Sequence, residues 1–167
     1  KVLAGWNGLL LAAFAKAARR WDDPVFVGAA QRIRGFLYHR LWDGRALRRA
    51  VAVGENGTER VVGRASLADY AYVAYGFSEY AQLSGDPADQ TFVTVLLSLA
   101  WQHFHGPGGW RMDDRPLIPG MAEEAAMLEG ALPAPSALVI RLAANGAHPA
   151  LAEQARAAAE QARPKAQ

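Results

Sequence analysis

Residues 2–24 read VLAGWNGLLLAAFAKAARRWDDP, and how this stretch is read decides the fold. After Asn7 it is an Ala/Leu-rich run that favours helix. Leu9, Leu10, Leu11, Phe14 and Ala18 cover most of the helix circumference, so such a helix has to be covered on nearly every side. Asp22-Asp23-Pro24 then ends the run, with Pro24 suited to the first turn of a second helix, where a missing N–H costs nothing.

The same punctuation returns. Gly85-Asp86-Pro87 lies 63 positions on (22 to 85), and Ala147-His148-Pro149 a further 62 (85 to 147). Each turn follows an apolar run, at about 7–20, 66–83 and 134–144, and precedes a second helical pattern. The second patterns are amphipathic. Phe26, Ala29, Ala30, Ile33 and Leu37 form a stripe opposite Gln31, Arg32 and Arg34. Leu151, Ala155, Ala158, Ala159 and Ala162 repeat it opposite Glu153, Arg156, Glu160 and Arg163. Inner helices alternating with half-wet outer ones describe a double-layered helical ring. The expected fold is therefore all-α: three helical hairpins forming half of an (α/α)6 toroid. The chain reads as one domain, with repeats at about 5–63, 64–130 and 131–167 and no internal boundary.

Two segments interrupt the repeat. Residues 47–62 read as a β-hairpin turning near Asn56-Gly57. Gly106–Gly120 is rich in Gly and Pro and reads as a long loop, followed by a short helical pattern at about 121–129. By the repeat register both crowd the rim where inner helices begin.

Composition narrows the partners. Eighteen Lys and Arg against sixteen Asp and Glu leave a net charge of +2, with no basic tract to follow a phosphate backbone, so no nucleic acid is expected. There is no Cys, hence no disulfide framework and no thiolate chemistry, which fits a reducing, cytoplasmic setting. The apolar runs fall short of the ~20 residues of a membrane span. The chain opens on Lys1 with no signal-peptide pattern and is expected to begin inside a longer protein.

The order of several short motifs resembles a known family. Lys1-Val2-Leu3 with Gly5-Trp6-Asn7-Gly8-Leu9, then Leu67-Ala68-Asp69-Tyr70-Ala71, then Glu129-Gly130-Ala131-Leu132-Pro133 and Ser136, is similar to the C-terminal half of the toroid domain of the thioredoxin-like spermatogenesis-associated proteins. The resemblance runs from Lys1 to about Asn145. It implies a six-hairpin toroid like that of N-acylglucosamine 2-epimerases and six-hairpin glycosidases, following a thioredoxin-like domain. That domain has no counterpart in these residues, so no redox role is assigned. The chain departs from the family in having Gly5 for Ser, Glu129 for Asp, and Ala134-Pro135-Ser136 for Ser-Gly-Asn-Ser.

The candidate site follows from the repeat. Trp6-Asn7 falls on Asp69-Tyr70 when the chain slides by 63. Asn7 is either the cap of the first inner helix or an amide for sugar hydroxyls, and Trp6 either packs or offers a sugar platform. Asp69 sits in a helix that is otherwise apolar all round, where a carboxylate is costly unless paired or wet. It either pairs with an Arg of the rim such as Arg64 or faces the cavity as an acid–base group. Glu129 is either a first-turn charge or the second carboxylate of such a pair. Asp69 and Glu129 are thus the catalytic candidates, with Trp6, Asn7, Tyr70 and Ser136 as substrate-binding ones; capping is the alternative for Ser136. His103 and His105 are two apart, cannot share a helical face and have no third ligand. Asp113-Asp114 and Glu123-Glu124 read as loop charge. No metal site and no cofactor is expected.

The function expected is carbohydrate processing or binding at an acid–base pocket on the inner-helix rim, with a sugar or other small polar ligand as partner. The alternative is a non-catalytic helical scaffold supporting a thioredoxin-like domain. Half a ring leaves an apolar face open, so a homodimer or the missing half of the toroid is expected to cover it.

Overall fold

A computed structural model describes residues 1–114, 132–146 and 149–161. Three inner helices, α1 (Ala4–Trp21), α3 (Leu67–Ser84) and α5 (Pro135–Asn145), alternate with three outer ones, α2 (Pro24–Phe36), α4 (Pro87–Phe104) and α6 (Pro149–Gln161). Neighbouring inner helices pack on one another, α1 on α3 and α3 on α5, and each also packs on the outer helix that follows it. This is the three-hairpin segment of an (α/α)6 ring, as the repeat implies.

The turns within the first two hairpins are built alike. Asp22 and Gly85 close their inner helices in the left-handed conformation, with φ of 50° and 68°. The next residue then caps the outer helix. Asp23 Oδ1 accepts from Val25 N–H, and Asp86 Oδ1 from Ala88 N–H, both at 2.8 Å, with Pro24 and Pro87 in the first turn.

Two glycines set the spacing of α1 and α3. A Cβ added to Gly8 would lie 2.5 Å from the Tyr72 carbonyl, and one added to Gly76 would fall inside the carbonyl of Gly8. Gly5 and Gly8 are ordinary helical residues; their missing side chains let the two backbones touch. Gly5 therefore lies inside the first turn of α1 and does not serve as a turn leading into it.

The inner helices are covered as expected. On α3, Leu67, Ala71, Val73, Ala74 and Phe77 have no measurable exposure. Helix α2, in contrast, buries only Ala30 completely. Arg34 corrects its expected solvent face: it crosses to α4 and pairs with Asp89, which is 2% exposed. The Nε and one terminal nitrogen of Arg34 lie 2.8 and 2.7 Å from Asp89 Oδ1, and Ser84 donates to Oδ2 at 3.0 Å. Helix α2 runs on into a single π-helical turn at Leu37–Leu41, whose two leucines are fully buried.

The interruption forms strands β2 (Arg48–Val53) and β3 (Glu59–Arg64), joined by the loop 54–58 with Gly57 at φ 77°. A strand not anticipated from the sequence, β1 (Val2–Leu3), pairs with β2 through Val2↔Val51 and Leu3↔Ala50. The hairpin is thus tied directly to the start of α1. Two further short strands, β4 (His105–Gly106) and β5 (Gly109–Trp110), fold the chain back after α4.

Candidate functional site

The N-terminal ends of the inner helices come together on one rim, and Asp69 is the joint. It is the third residue of α3 and forms a reciprocal cap with Ser66: its Oδ2 accepts from Ser66 N–H at 2.9 Å and from the Ser66 hydroxyl at 3.0 Å. Its Oδ1 reaches across to Gly5 N–H of α1 at 3.1 Å. One carboxylate therefore serves the positive ends of two helices at once. It is 7% exposed, so burial is offset by three donors and two helix dipoles. Arg64, the partner considered from the sequence, pairs instead with Asp114.

The third inner helix joins the same rim through Tyr72, whose hydroxyl donates to the Pro133 carbonyl at 3.0 Å, two residues before α5. Burial raises the Tyr72 pKa above its ordinary value. Tyr72 carried no signal in the sequence beyond its place among several aromatics of α3. Its spacing from Asp69 (69 to 72, one helical turn) puts both on one face.

Trp6 lies in the first turn of α1 and is 67% exposed beside this joint. Asn7 is not the cap: the helix begins at Ala4 with Leu3 in the cap position, and Asn7 Nδ2 donates back to Leu3 O at 2.7 Å. Its side-chain oxygen accepts no hydrogen bond among the described residues. Ser136 is buried in the first turn of α5, where Ala134 holds the cap position. Glu129 and the short helical pattern at 121–129 lie outside the described residues.

Tyr70 departs from this group. It is 4% exposed and lines a separate cavity of about 170 Å³ with Leu47, Arg64, His103, Phe104 and Asp114. Its oxygen accepts from Leu47 N–H at 3.0 Å, which pins the base of the β-hairpin to α3. Burial is the largest influence raising its pKa; the Leu47 hydrogen bond opposes it. The expected rim is thus divided: Trp6, Asn7 and Asp69 cluster where α1 meets α3, whereas Tyr70 points to the hairpin side. His105 is held in an aromatic cluster, with ring centroids 5.6 Å from Trp101 and 4.9 Å from Trp110. No group of three or more His, Asp or Glu that would hold a metal occurs among the described residues.

No family model and no curated protein matches the chain. Among solved structures it is similar to the cellobiose 2-epimerase of Spirochaeta thermophila DSM 6192, with a TM-score of 0.68 and 19% identity. That likeness covers 92% of this chain and 41% of the epimerase. It shows the (α/α)6 ring fold expected from the hairpin repeat. Membership of the thioredoxin-like spermatogenesis-associated family is a finer assignment that the likeness does not reach. No described helix is long and apolar enough to cross a membrane.

Proposed function

We propose that the chain is a three-hairpin segment of a carbohydrate-active or carbohydrate-binding toroid, whose pocket lies on the rim where the inner helices begin. The observation that carries this reading is the Asp69 joint beside the exposed Trp6. A buried carboxylate, two helix N-termini and a bare indole at one edge of a ring suit a neutral polyhydroxylated ligand. The structural neighbour that processes a disaccharide is consistent with it. Trp6 is the stacking platform, and the oxygen of Asn7 accepts from hydroxyls. Asp69 fixes the rim and acts as an acid–base group only if a ligand displaces Gly5 or Ser66 from it. Glu129, outside the described residues, stays the proposed second carboxylate, and Ser136 a further proposed ligand contact.

The ring is completed by another body. Leu10, Ala13 and Ala17 share one face of α1, with Leu10 44% exposed. Trp21 and Val25 continue the apolar surface at 65% and 70% exposure. A second copy of the chain or three further hairpins of a ring covers this seam.

A second reading has its own support. All three hydrogen bonds that the Asp69 carboxylate accepts are structural, which suits a scaffold without chemistry. Glycan binding by the assembled ring separates the two. Binding of cellobiose or N-acetylglucosamine that Trp6→Ala abolishes supports the sugar reading. An assembled ring that binds no member of a neutral sugar panel supports the scaffold.

A further inference from the structure

Away from the rim, a cavity of about 440 Å³ opens toward the C-terminal halves of the inner helices. Lys16 reaches it from α1, Tyr75, Ser78 and Glu79 from α3, and Arg141 from α5. At its centre is the Tyr75 ring, with the Lys16 ammonium 5.1 Å and the Arg141 guanidinium 5.7 Å from its centroid. Lys16 also donates to the Tyr75 hydroxyl at 2.5 Å.

The charges around this cavity do not balance. Glu79 is its one carboxylate among the described residues, and Arg19 holds it through a 2.7 Å ion pair and a 2.6 Å hydrogen bond to the Glu79 carbonyl. Lys16 lies 3.5 Å from the other carboxylate oxygen. Arg141 has no ion pair or hydrogen bond among the described residues; the face of Tyr75 is what it touches. Of the described lining residues, Lys16 and Arg141 against Glu79 leave one positive charge in excess, and Arg19, which pairs with Glu79 from outside the lining, adds a second. Helix C-terminal carbonyls nearby repel anions, and the basic residues near the end of α1 offset that field. Arg141 sits earlier in its own helix, and no described carboxylate pairs with it.

We infer that this cavity binds a small dianion, the phosphate of a phosphorylated polar metabolite or free phosphate, with Arg141 as its fork and Lys16 as its second cation. A phosphate monoester carries about −1.5 to −2 charges at neutral pH, which matches the excess. The planar guanidinium offers paired donors to two phosphate oxygens. Ser78, Gln82, Gln90 and Asn145 supply neutral polar groups for whatever the phosphate carries. The site is independent of the rim and takes a charged ligand where the rim takes a neutral one.

The test titrates the 167-residue chain with inorganic phosphate, glucose 6-phosphate and glucose, by calorimetry at low and high salt. Both phosphates are expected to bind and to weaken as salt rises, and glucose is expected not to bind here. Arg141→Gln should weaken phosphate binding at least about tenfold with little change in melting temperature, because among the described residues Arg141 makes only its contact with the Tyr75 face. Arg156→Gln, which removes an exposed cation on α6, should leave binding unaltered. Tighter binding of glucose 6-phosphate than of the free ion identifies a phosphorylated organic ligand, and equal binding identifies the ion itself. Absence of phosphate binding, or equal losses from Arg141→Gln and Arg156→Gln, overturns the inference. Neither result touches the rim, which is read with neutral sugars and Trp6.

Discussion

Gly8 of α1 and Gly76 of α3 meet backbone to backbone, with no room for a methyl group on either. Helix propensity alone favours Ala over Gly by about 1 kcal/mol at an interior position. Here the atoms in the way are carbonyls of the facing helix, which cannot swing aside as a side chain would. Overpacking of about 1–3 kcal/mol or more therefore outweighs the propensity gain. Gly8→Ala and Gly76→Ala are each expected to lower stability by about 2 kcal/mol in chemical denaturation. Gly35→Ala, on α2 with nothing within 4 Å of its added Cβ, is expected to be neutral or to raise stability by up to about 1 kcal/mol. Equal effects at all three sites would show that the close approach does not govern the packing.

Asp69→Asn keeps the shape of the joint but removes its charge and turns one acceptor into a donor. Whichever way the amide is placed, an N–H of Gly5 or of Ser66 faces an NH2 group. Hydrogen bonds to charged groups contribute about 1.5–3 kcal/mol, and the substitution should cost an amount in that range. Asp69→Ala, which abandons both helix ends, should cost more. The readout is the denaturation midpoint together with amide exchange at Gly5, which should quicken selectively.

How much of this was legible beforehand depended on period and range. The hairpin repeat was plain because Asp23-Pro24 and Asp86-Pro87 are local signals in matching positions, and capping chemistry is local. The β-hairpin was equally plain from its alternating residues and Asn56-Gly57. The close approach at Gly5 and Gly8 was not legible, since a glycine that permits a turn and one that permits close packing look alike in one dimension. Arg34 was placed in solvent because a helical wheel knows nothing of the neighbouring helix that carries Asp89. Asp69 was correctly marked as costly in an apolar helix, yet its partner was Gly5, a backbone group 64 residues away, and backbone donors leave no trace in residue identity. Tyr70 was matched to Asn7 by repeat register and placed on the rim beside Asp69, whereas one step along a helix turns a side chain through about 100° and sends it to another face.

The Arg34–Asp89 pair joins two outer helices under partial cover, at 21% and 2% side-chain exposure. Removing one partner strands the other. Asp89→Ala leaves the guanidinium over the rings of Tyr38 and Phe77 with its carboxylate gone, and should cost about 3–5 kcal/mol. The double variant Arg34→Met/Asp89→Leu should recover most of that loss, because apolar side chains of similar volume need no partner. A thermodynamic cycle on the four proteins measures the coupling; additive losses would mean that the pair is not a unit.

The seam on α1 predicts concentration-dependent behaviour. If Leu10 meets a second copy, sedimentation of the chain should show a dimer that Leu10→Glu converts to monomer. A chain that stays monomeric at every concentration would rule out self-association and point to the remaining hairpins of a ring as the cover.

Three tyrosines give the protein an alkaline limit. Burial is the largest influence raising the pKa of Tyr70, Tyr72 and Tyr80 above the ordinary value of 10.0. Below pH 10 these phenols are protonated in both folded and unfolded chains and leave stability unchanged with pH. Above it the unfolded chain ionises first and binds fewer protons than the folded one, so stability falls as pH rises toward the folded values. Denaturation midpoints should accordingly be flat through neutral pH and decline from about pH 10. Tyr70→Phe should shrink that decline, at the expense of about 1 kcal/mol at neutral pH for leaving Leu47 N–H without its acceptor. If the slope above pH 10 is the same in Tyr70→Phe, the hydroxyl that pins the β-hairpin contributes nothing to the alkaline transition.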